Sequence, residues 1–506
     1  MTKATQIALL VAMITYCSPS QGIQTFSLSQ NGSSLPPSNS IDAMAVSRDT
    51  VWIGTGRGLS YTTNGSIWRN QPPSNGISAI AIDDNFIWTS QGYSVKKDGD
   101  FIQTGGGLDW SADRGQTWNH VQQPVDKGTV DTLVYGANRI RALSVTVTQQ
   151  NITYDIALTK SAVWIASFAG MLRKSIDAGQ SWQRVILPPD NLNSISPNDT
   201  LDFDLTPSGG SLGLRENLNH RVFSVYASSD SILWVGTAAG INRSTDGGLS
   251  WRRFSHQNQV NPISGNFVVA INEQVLTGRR LLWAATVNAL DPTEEQGISF
   301  SEDSGATWKT VLLGERAHNI SFKDSIVFVS TERGLFRSSD FGTSWIRNGT
   351  IVDPSNGQRF TVQTLYCSAA IGDTIWAGGP DGIAYTLDSP SKAFGSEWHI
   401  FRTYEPVGSS SMTYSFPLPF SPDDQPVRLH YSTRGRNMKT SIMIFDFAML
   451  PVRTLIQNSI RSGSVEHDEL WDGTTDRGIP VTNGVYFYRV QFDDGEVQWG
   501  KILVVQ

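Results

Sequence analysis

Apolar residues along this chain come in short runs. "ISAIAI" from Ile77, "VFSVYAS" from Val222 and "SIMIFDF" from Ser441 are typical. They are rich in β-branched and aromatic residues, and Gly, Asn, Asp or Ser bounds them. That is strand chemistry, and no stretch keeps a helical period. The pattern predicts an all-β chain.

One apolar phrase then recurs. It reads "VWIGTGRGLSYT" from Val51, "IWTS" from Ile87, "VWIASFAGMLRKS" from Val163 and "LWVGTAAGINRS" from Leu233. It continues as "LWAAT" from Leu282, "VFVSTERGLFRS" from Val327 and "IWAGGPDGIAYT" from Ile375. A polar box follows it: "SADRGQTW" (Ser111 to Trp118), "SIDAGQSW" (Ser175 to Trp182), "STDGGLSW" (Ser244 to Trp251), "SEDSGATW" (Ser301 to Trp308) and "SSDFGTSW" (Ser338 to Trp345). These five fit S-x-D-x-G-x-[ST]-W without a gap. Degenerate copies flank them, "TTNGSIW" ending at Trp68 and "TLDSPSKAFGSEW" ending at Trp398. Each unit reads as strand, turn, strand, Gly-containing turn, strand, box turn, strand. Seven units of four strands predict a seven-bladed β-propeller. Of the 16 tryptophans, seven close boxes and six stand second in the recurring phrase, at 52, 88, 164, 234, 283 and 376, with Phe328 in the seventh place. So even a spread marks packing between blades, not a binding platform.

The box resembles the Asp-box, or bacterial neuraminidase repeat, over roughly residues 41 to 401. In that family it is the hairpin turn between the third and fourth strands of a blade. The resemblance implies a structural role for Asp113, Asp177, Asp246, Asp303 and Asp340, and for Trp118, Trp182, Trp251, Trp308 and Trp345. The chemistry agrees: Asp accepts hydrogen bonds from its own turn, Gly supplies positive φ, and Trp anchors the turn.

After Arg402 the chain changes. A polar linker (404–414) leads to "SFPLPFSPDDQPVRLHYS" from Ser415, then "SIMIFDF" and "GVYFYRV". Their alternation predicts a small sandwich. This end resembles the FlgD-like Ig domain of secreted bacterial proteins, including type IX secretion cargoes. The residues that carry the likeness are Pro417, Pro419, Phe420 and Pro422; Trp471, Asp472, Gly473, Asp476 and Gly478; Asn483, Gly484, Val485, Tyr486, Phe487, Tyr488 and Arg489; and the terminal Lys501. Leu450-Pro451 departs from the family's Gly-Arg. Asp472 and Asp476 have the look of a metal loop, but a turn held by Asp and Gly explains them equally.

At the other end, Lys3 precedes the apolar run Ile7 to Ile14 and then Tyr16, Cys17, Ser18, Pro19 and Ser20. That is a Sec signal peptide over 1–22, too short to span a bilayer. Tyr16 before Cys17 argues against lipidation. The organisation expected is therefore 1–22 leader, 23–403 propeller, 404–414 linker and 415–506 Ig-like domain. Loss of Cys17 with the leader leaves only Cys367 of the 2 cysteines, so no intramolecular disulfide is expected. A net charge of −7 argues against a nucleic-acid or anionic-lipid partner.

Function then falls to the inserts. Residues 187–221 and 125–139 join blades, whereas 92–107 and 287–297 join second to third strands. Both kinds of connection are expected opposite the box turns, and that face is the expected working surface. Sialidases and some endoglucanases share Asp-boxes, but the sialidase Phe-Arg-Ile-Pro stretch is missing; the nearest pairs are Phe336-Arg337 and Phe401-Arg402. The insert acids Asp202, Asp204, Glu216, Glu294 and Glu295 cannot be paired from sequence. No phosphate loop and no metal-spaced His cluster occur among the 7 His. Photosystem assembly factors carry similar boxes but lack such a C-terminal end. Two readings stay open: an exported, non-catalytic binding or scaffold propeller with a protein or glycan ligand, reaching the surface or medium through its C-terminal domain; or a glycan-acting hydrolase. No catalytic residue, cofactor or metal is assigned.

Overall fold

A computed structural model describes residues 35–505, except 64, 73–74, 84–85, 98–99, 128–129, 145, 206–216, 356–357, 404–412, 423–425 and 464–465. The leader and most of the linker lie outside the described residues. Contacts divide the chain into two units. One runs to Ile351 and resumes over Gln363–Thr403; the other comprises Val352–Val362 and the chain from Tyr404. The segment Val352–Val362 is a detail that linear boundaries do not contain.

The fold is all-β; among the described residues the one helical element is the 3-10 turn Leu218–His220. Among the described residues the first unit holds seven antiparallel sheets built on four strands consecutive in sequence, over 41–71, 76–121, 153–184, 222–254, 267–311, 317–347 and 367–401, the fourth of them extended by Ser194–Ile195, and a separate two-stranded sheet, Val130–Tyr135 with Asn138–Leu143. The second and third strands of most of them, such as Thr50–Thr55 with Gly58–Thr62 and Leu233–Thr237 with Gly240–Ser244, are almost wholly buried. This is why "VWIGT" and "LWVGT" are continuous apolar runs and do not alternate. Five of the fourth strands, such as Arg69–Gln71 and Lys309–Val311, are short and largely exposed, which limits edge pairing, whereas Trp251–Phe254 and Trp398–Phe401 are mostly buried.

Neighbouring sheets pack through shared cores. Trp52 and Leu59 of the first sheet meet Ile77 and Ile87 of the second. Trp88 and Leu108 of the second meet Ile156, Val163 and Ile165 of the third. The third joins the fourth around Trp164 and Val225, the fourth the fifth around Trp234 and Val268, and the fifth the sixth around Trp283 and Ile320. The sixth meets the seventh through Ser321 and Ser368, whose hydroxyls are 2.8 Å apart. The set closes, because Ile41, Val51 and Trp68 of the first sheet pack on Cys367 and Trp376 of the seventh. Asn39 and Thr403 clasp across that seam, with Asn39 Nδ2 donating to the Thr403 carbonyl (3.1 Å) and the Thr403 amide to Asn39 Oδ1 (2.7 Å).

The first strands of six sheets share an irregularity. Each is bulged one or two residues after its start, at Asp42, Ser78, Tyr154, Phe223, Val269 and His318. A bulge re-aims one side chain and sharpens local twist. Directly after it, side chains tie neighbouring sheets: Asp155 Oδ2 accepts the Val225 amide at 2.9 Å, and Asn319 Oδ1 the Ser368 amide at 3.2 Å.

The second unit contains a three-stranded sheet (Thr413–Phe416, Val427–Tyr431, His467–Trp471) and a four-stranded one (Pro451–Arg461, Met438–Phe445, Gly484–Phe492, Val497–Val504). Leu429, Tyr431 and Trp471 from the first share one core with Ile442, Tyr488 and Ile502 from the second. The strand Thr413–Phe416 begins inside the last two residues of the expected linker.

Candidate functional site

The box carboxylates are fully engaged in their own turns. Asp113 Oδ1 accepts the amides of Gln116 (3.0 Å) and Thr117 (2.8 Å) and the Ser111 hydroxyl (2.7 Å), and Oδ2 accepts the Thr117 hydroxyl (2.6 Å). Asp177, Asp246, Asp303 and Asp340 accept the corresponding amides of Ser181, Ser250, Thr307 and Ser344 at 2.8 to 2.9 Å. The Thr117 hydroxyl and amide, with the Ser111 hydroxyl, hold Asp113 down to about 2, and the equivalent Ser344 and Ser338 bonds do the same for Asp340. These groups stabilise the charged form, which is what a turn staple requires. Trp118 and Trp345 donate their indole N–H to the box Gly carbonyls at 3.2 and 3.1 Å; Trp251 and Trp308 are buried, and Trp182 is half-buried.

A packing rule is hidden in the box glycine. A Cβ on Gly248 (φ +86°) would stand 2.5 Å from Trp164 of the preceding sheet, and one on Gly115 (φ +84°) 2.8 Å from Trp52. The recurring Trp of one sheet thus lies against the box Gly of the next. Fixed spacing between the two motifs was the available signal.

In the second unit, Trp471 is fully buried and donates to the Thr474 carbonyl at 2.9 Å, and its ring meets Tyr486 edge-on at 5.5 Å. Tyr486 donates its hydroxyl to the Thr482 carbonyl. Asp472 accepts the Thr474 amide (3.0 Å) and hydroxyl (2.7 Å), and Asp476 accepts the Thr454 amide (2.9 Å). Gly473 (φ +77°) has Pro422 where a Cβ would stand, and Gly484 opens the strand Gly484–Phe492. Among the described residues, no group of three or more His, Cys, Asp or Glu could hold a metal ion.

The inserts correct one expectation. Residues 125–139 were expected opposite the box turns, but the hairpin Val130–Tyr135 with Asn138–Leu143 reaches a box: the Tyr135 hydroxyl donates to the Leu249 carbonyl at 2.7 Å. Part of 187–221 goes with it. Ser194–Ile195 adds a fifth strand outside Trp251–Phe254, and Ala142 and Leu205 form a bridge between the two inserts. The physical reason is burial: Leu133, Tyr135, Leu201, Phe203 and Leu205 cover apolar surface between the third and fourth sheets. Residues 92–107 differ as well. They are not a loop but the extended arms of the hairpin Phe86–Lys97 and Asp100–Ser111.

The remaining insert parts do meet opposite the boxes. A pocket of about 380 Å³ opens between Asp190, Leu218, Ala239, Arg253, Asn266 and Leu290. Ala239 is in the second-to-third turn of the fourth sheet, Asn266 before the first strand of the fifth, and Leu290 in the 287–297 insert. Antiparallel order puts those connections on the end away from the box turns. Among the acids singled out, Glu294 is buried beside the pocket; Asp202, Asp204 and Glu295 are exposed, and Glu216 lies outside the described residues. Glu294 is saturated by the Asn266 amide (3.2 Å), Asn266 Nδ2 (2.6 Å), Gln257 Nε2 (3.1 Å) and the Ala289 amide (2.5 Å). Asp190 accepts the Leu218 and Asn219 amides at 2.9 and 2.8 Å. Asp190 and Arg253 were not singled out in the sequence. The alternation in "WRRF", which puts Arg253 on the buried side with Trp251, was the signal for the second.

No family model matches the chain, and no curated protein is similar to it. Solved structures are. The GH74 enzyme of Niastella koreensis shares 12% identity with a TM-score of 0.50, covering 94% of this chain and 74% of that one. YCF48 from Cyanidioschyzon merolae follows at 14% identity and TM-score 0.40, covering 70% and 97%. PorZ, a surface component of the type-IX secretion system of Porphyromonas gingivalis, is at 13% and 0.30, covering 92% and 75%. The fold is a β-propeller. Identity this low carries the fold and nothing of the activity. No helix of the described residues is long and apolar enough to cross a membrane.

Proposed function

We propose that this chain is an exported binding propeller: seven Asp-box blades, followed by an Ig-like domain of the sorting type that delivers it to the cell surface or the medium. The working surface is the end opposite the box turns, around the pocket at Arg253. The observation that carries the non-catalytic half is the state of the pocket's carboxylates. Glycoside hydrolysis needs two carboxyl groups facing the substrate, one to donate a proton and one to attack or activate water. Here Asp190 is tied to two backbone amides and Glu294 to four donors, so both serve the loops. The leader expected over 1–22 supports export.

Incubation of the full chain with a mixed pool of soluble polysaccharides tests this reading. The expected result is retention of a component with no new saccharide in the mass spectrum. Protein-dependent release of a shorter saccharide would overturn it in favour of the hydrolase.

A further inference from the structure

We propose that the Arg253 pocket binds neutral sugar units, with the Arg253 guanidinium as its anchoring donor; this deepens the binding reading above and rests on it. The argument starts from a comparison within the chain. Arg184 and Arg253 stand at the same place in the fourth strands of the third and fourth sheets, two residues after the box Trp. Arg184 Nε reaches the carboxylate of Asp126 at 3.1 Å, and that guanidinium is closed off. Arg253 has no such partner. Its Nη2 donates to the main-chain carbonyl of Asp190 at 2.6 Å, and its Nε is buried with no hydrogen-bond partner among the described residues. A buried donor of this kind is costly until something accepts from it. Where Arg184 meets a carboxylate, Arg253 meets a main-chain carbonyl and lines a pocket.

The walls of the pocket choose the class of acceptor. Asp190 lines the site, Asp291 and Glu294 stand behind its lining residue Gln257, and all three are held by internal donors, Asp291 by the Thr293 amide at 2.9 Å and hydroxyl at 2.7 Å. These three carboxylates outnumber the two guanidinium groups near Asp190, Arg221 and Arg253, and disfavour an anionic ligand. Saturated acceptors beside open donors favour a ligand rich in hydroxyl oxygens. Asn191 and Asn193 add amides to the same wall, while Leu218, Ala238 and Ala239 supply a small apolar surface that suits the C–H face of a sugar ring. A volume of 380 Å³ accommodates roughly one or two such rings.

Titration calorimetry on the full chain decides it, with cellohexaose, mannohexaose, maltohexaose and chitohexaose as probes and oligogalacturonate and a tripeptide as controls. At least one neutral hexasaccharide should bind. Arg253→Gln, and Leu290→Trp at the exposed rim, should each weaken it at least tenfold, the second with an unchanged unfolding midpoint. Neutral binding that survives Leu290→Trp would overturn the site. Binding of a control alone, or of no probe, would overturn the ligand class. Each of these leaves the non-catalytic reading intact, because that reading fails only if shortened saccharide appears in the cell.

Discussion

Asp155 puts a titratable group where the architecture needs a neutral one. It follows the bulge in the first strand of the third sheet, the position that Asn319 holds in the sixth. Its Oδ1 accepts the Ile156 amide and its Oδ2 the Val225 amide of the next sheet, both at 2.9 Å. Burial pushes its carboxyl up to about 7, against the opposing pull of those two amides. A carboxyl raised in the folded state keeps its proton there after the unfolded chain has lost it, so stability falls as pH rises from about 4 through about 7. The rise from 3.8 to about 7 corresponds to about 4 kcal/mol at about 1.4 kcal/mol per pH unit. The residue as a whole is half-buried, so solvent screening reduces the expected effect to about 2 kcal/mol. Asp155→Asn removes the titration and retains one amide bond, at a pH-independent cost of about 1 kcal/mol. Urea unfolding followed by tryptophan fluorescence, run on both proteins from pH 4.5 to 8.5, reads the difference. The variant should be the less stable at pH 4.5 and should draw level with or pass the parent by pH 8.5. A constant gap across the range would refute the reasoning.

The remaining predictions concern the turns and the second unit. Gly248→Ala and Gly247→Ala share a positive φ, but only the first drives a Cβ into Trp164, at 2.5 Å against 3.6 Å to the nearest atom for the second; chemical unfolding should show about 3 kcal/mol lost for Gly248→Ala and about 1 for Gly247→Ala. Asp113 is held down to about 2, first by the Thr117 hydroxyl, so its box is intact above pH 4 and fails as pH falls towards 2; Asp113→Asn should speed exchange of the Gln116 and Thr117 amides at pH 5 and flatten that acid dependence. His430 lies between Asp468 Oδ1 (2.7 Å) and Glu466 Oε2 (2.8 Å), and although burial pulls it down, those bonds and charges lift it to about 9. Its stabilising effect is therefore full below about 6.5 and lost as pH rises through about 9; His430→Gln should remove the alkaline drop in the second unit's melting temperature, measured from pH 6 to 10.

Much of this fold is legible because it repeats. Trp52 and its counterparts announce the second strands, and Asp113 and its counterparts the turns before the fourth. Repetition also explains what was missed. The bulges at Asp42, Ser78, Tyr154, Phe223, Val269 and His318 share a place but no residue type, since a bulge is set by backbone pairing and not by one side chain. The path of 125–139 depended on which apolar surface lay nearby, and Leu133 and Tyr135 do not name their neighbours. The pocket was least legible of all. Asp190 and Leu290 come from two connections and Arg253 from a strand, and their meeting depends on two sheets packing side by side.

The seam between the first and seventh sheets has an evolutionary and practical meaning. The first and seventh sheets are each complete in sequence order, so no hydrogen-bond ladder crosses the seam, and the joint is made by side chains and the Asn39–Thr403 clasp. In this it resembles the joints that carry no inserted strand, unlike the one between the third and fourth sheets. A gene for this unit could be rejoined there and reopened between two sheets whose connection carries no strand, with each four-stranded module left whole. Copying or losing one module would change the number of modules without breaking any of them.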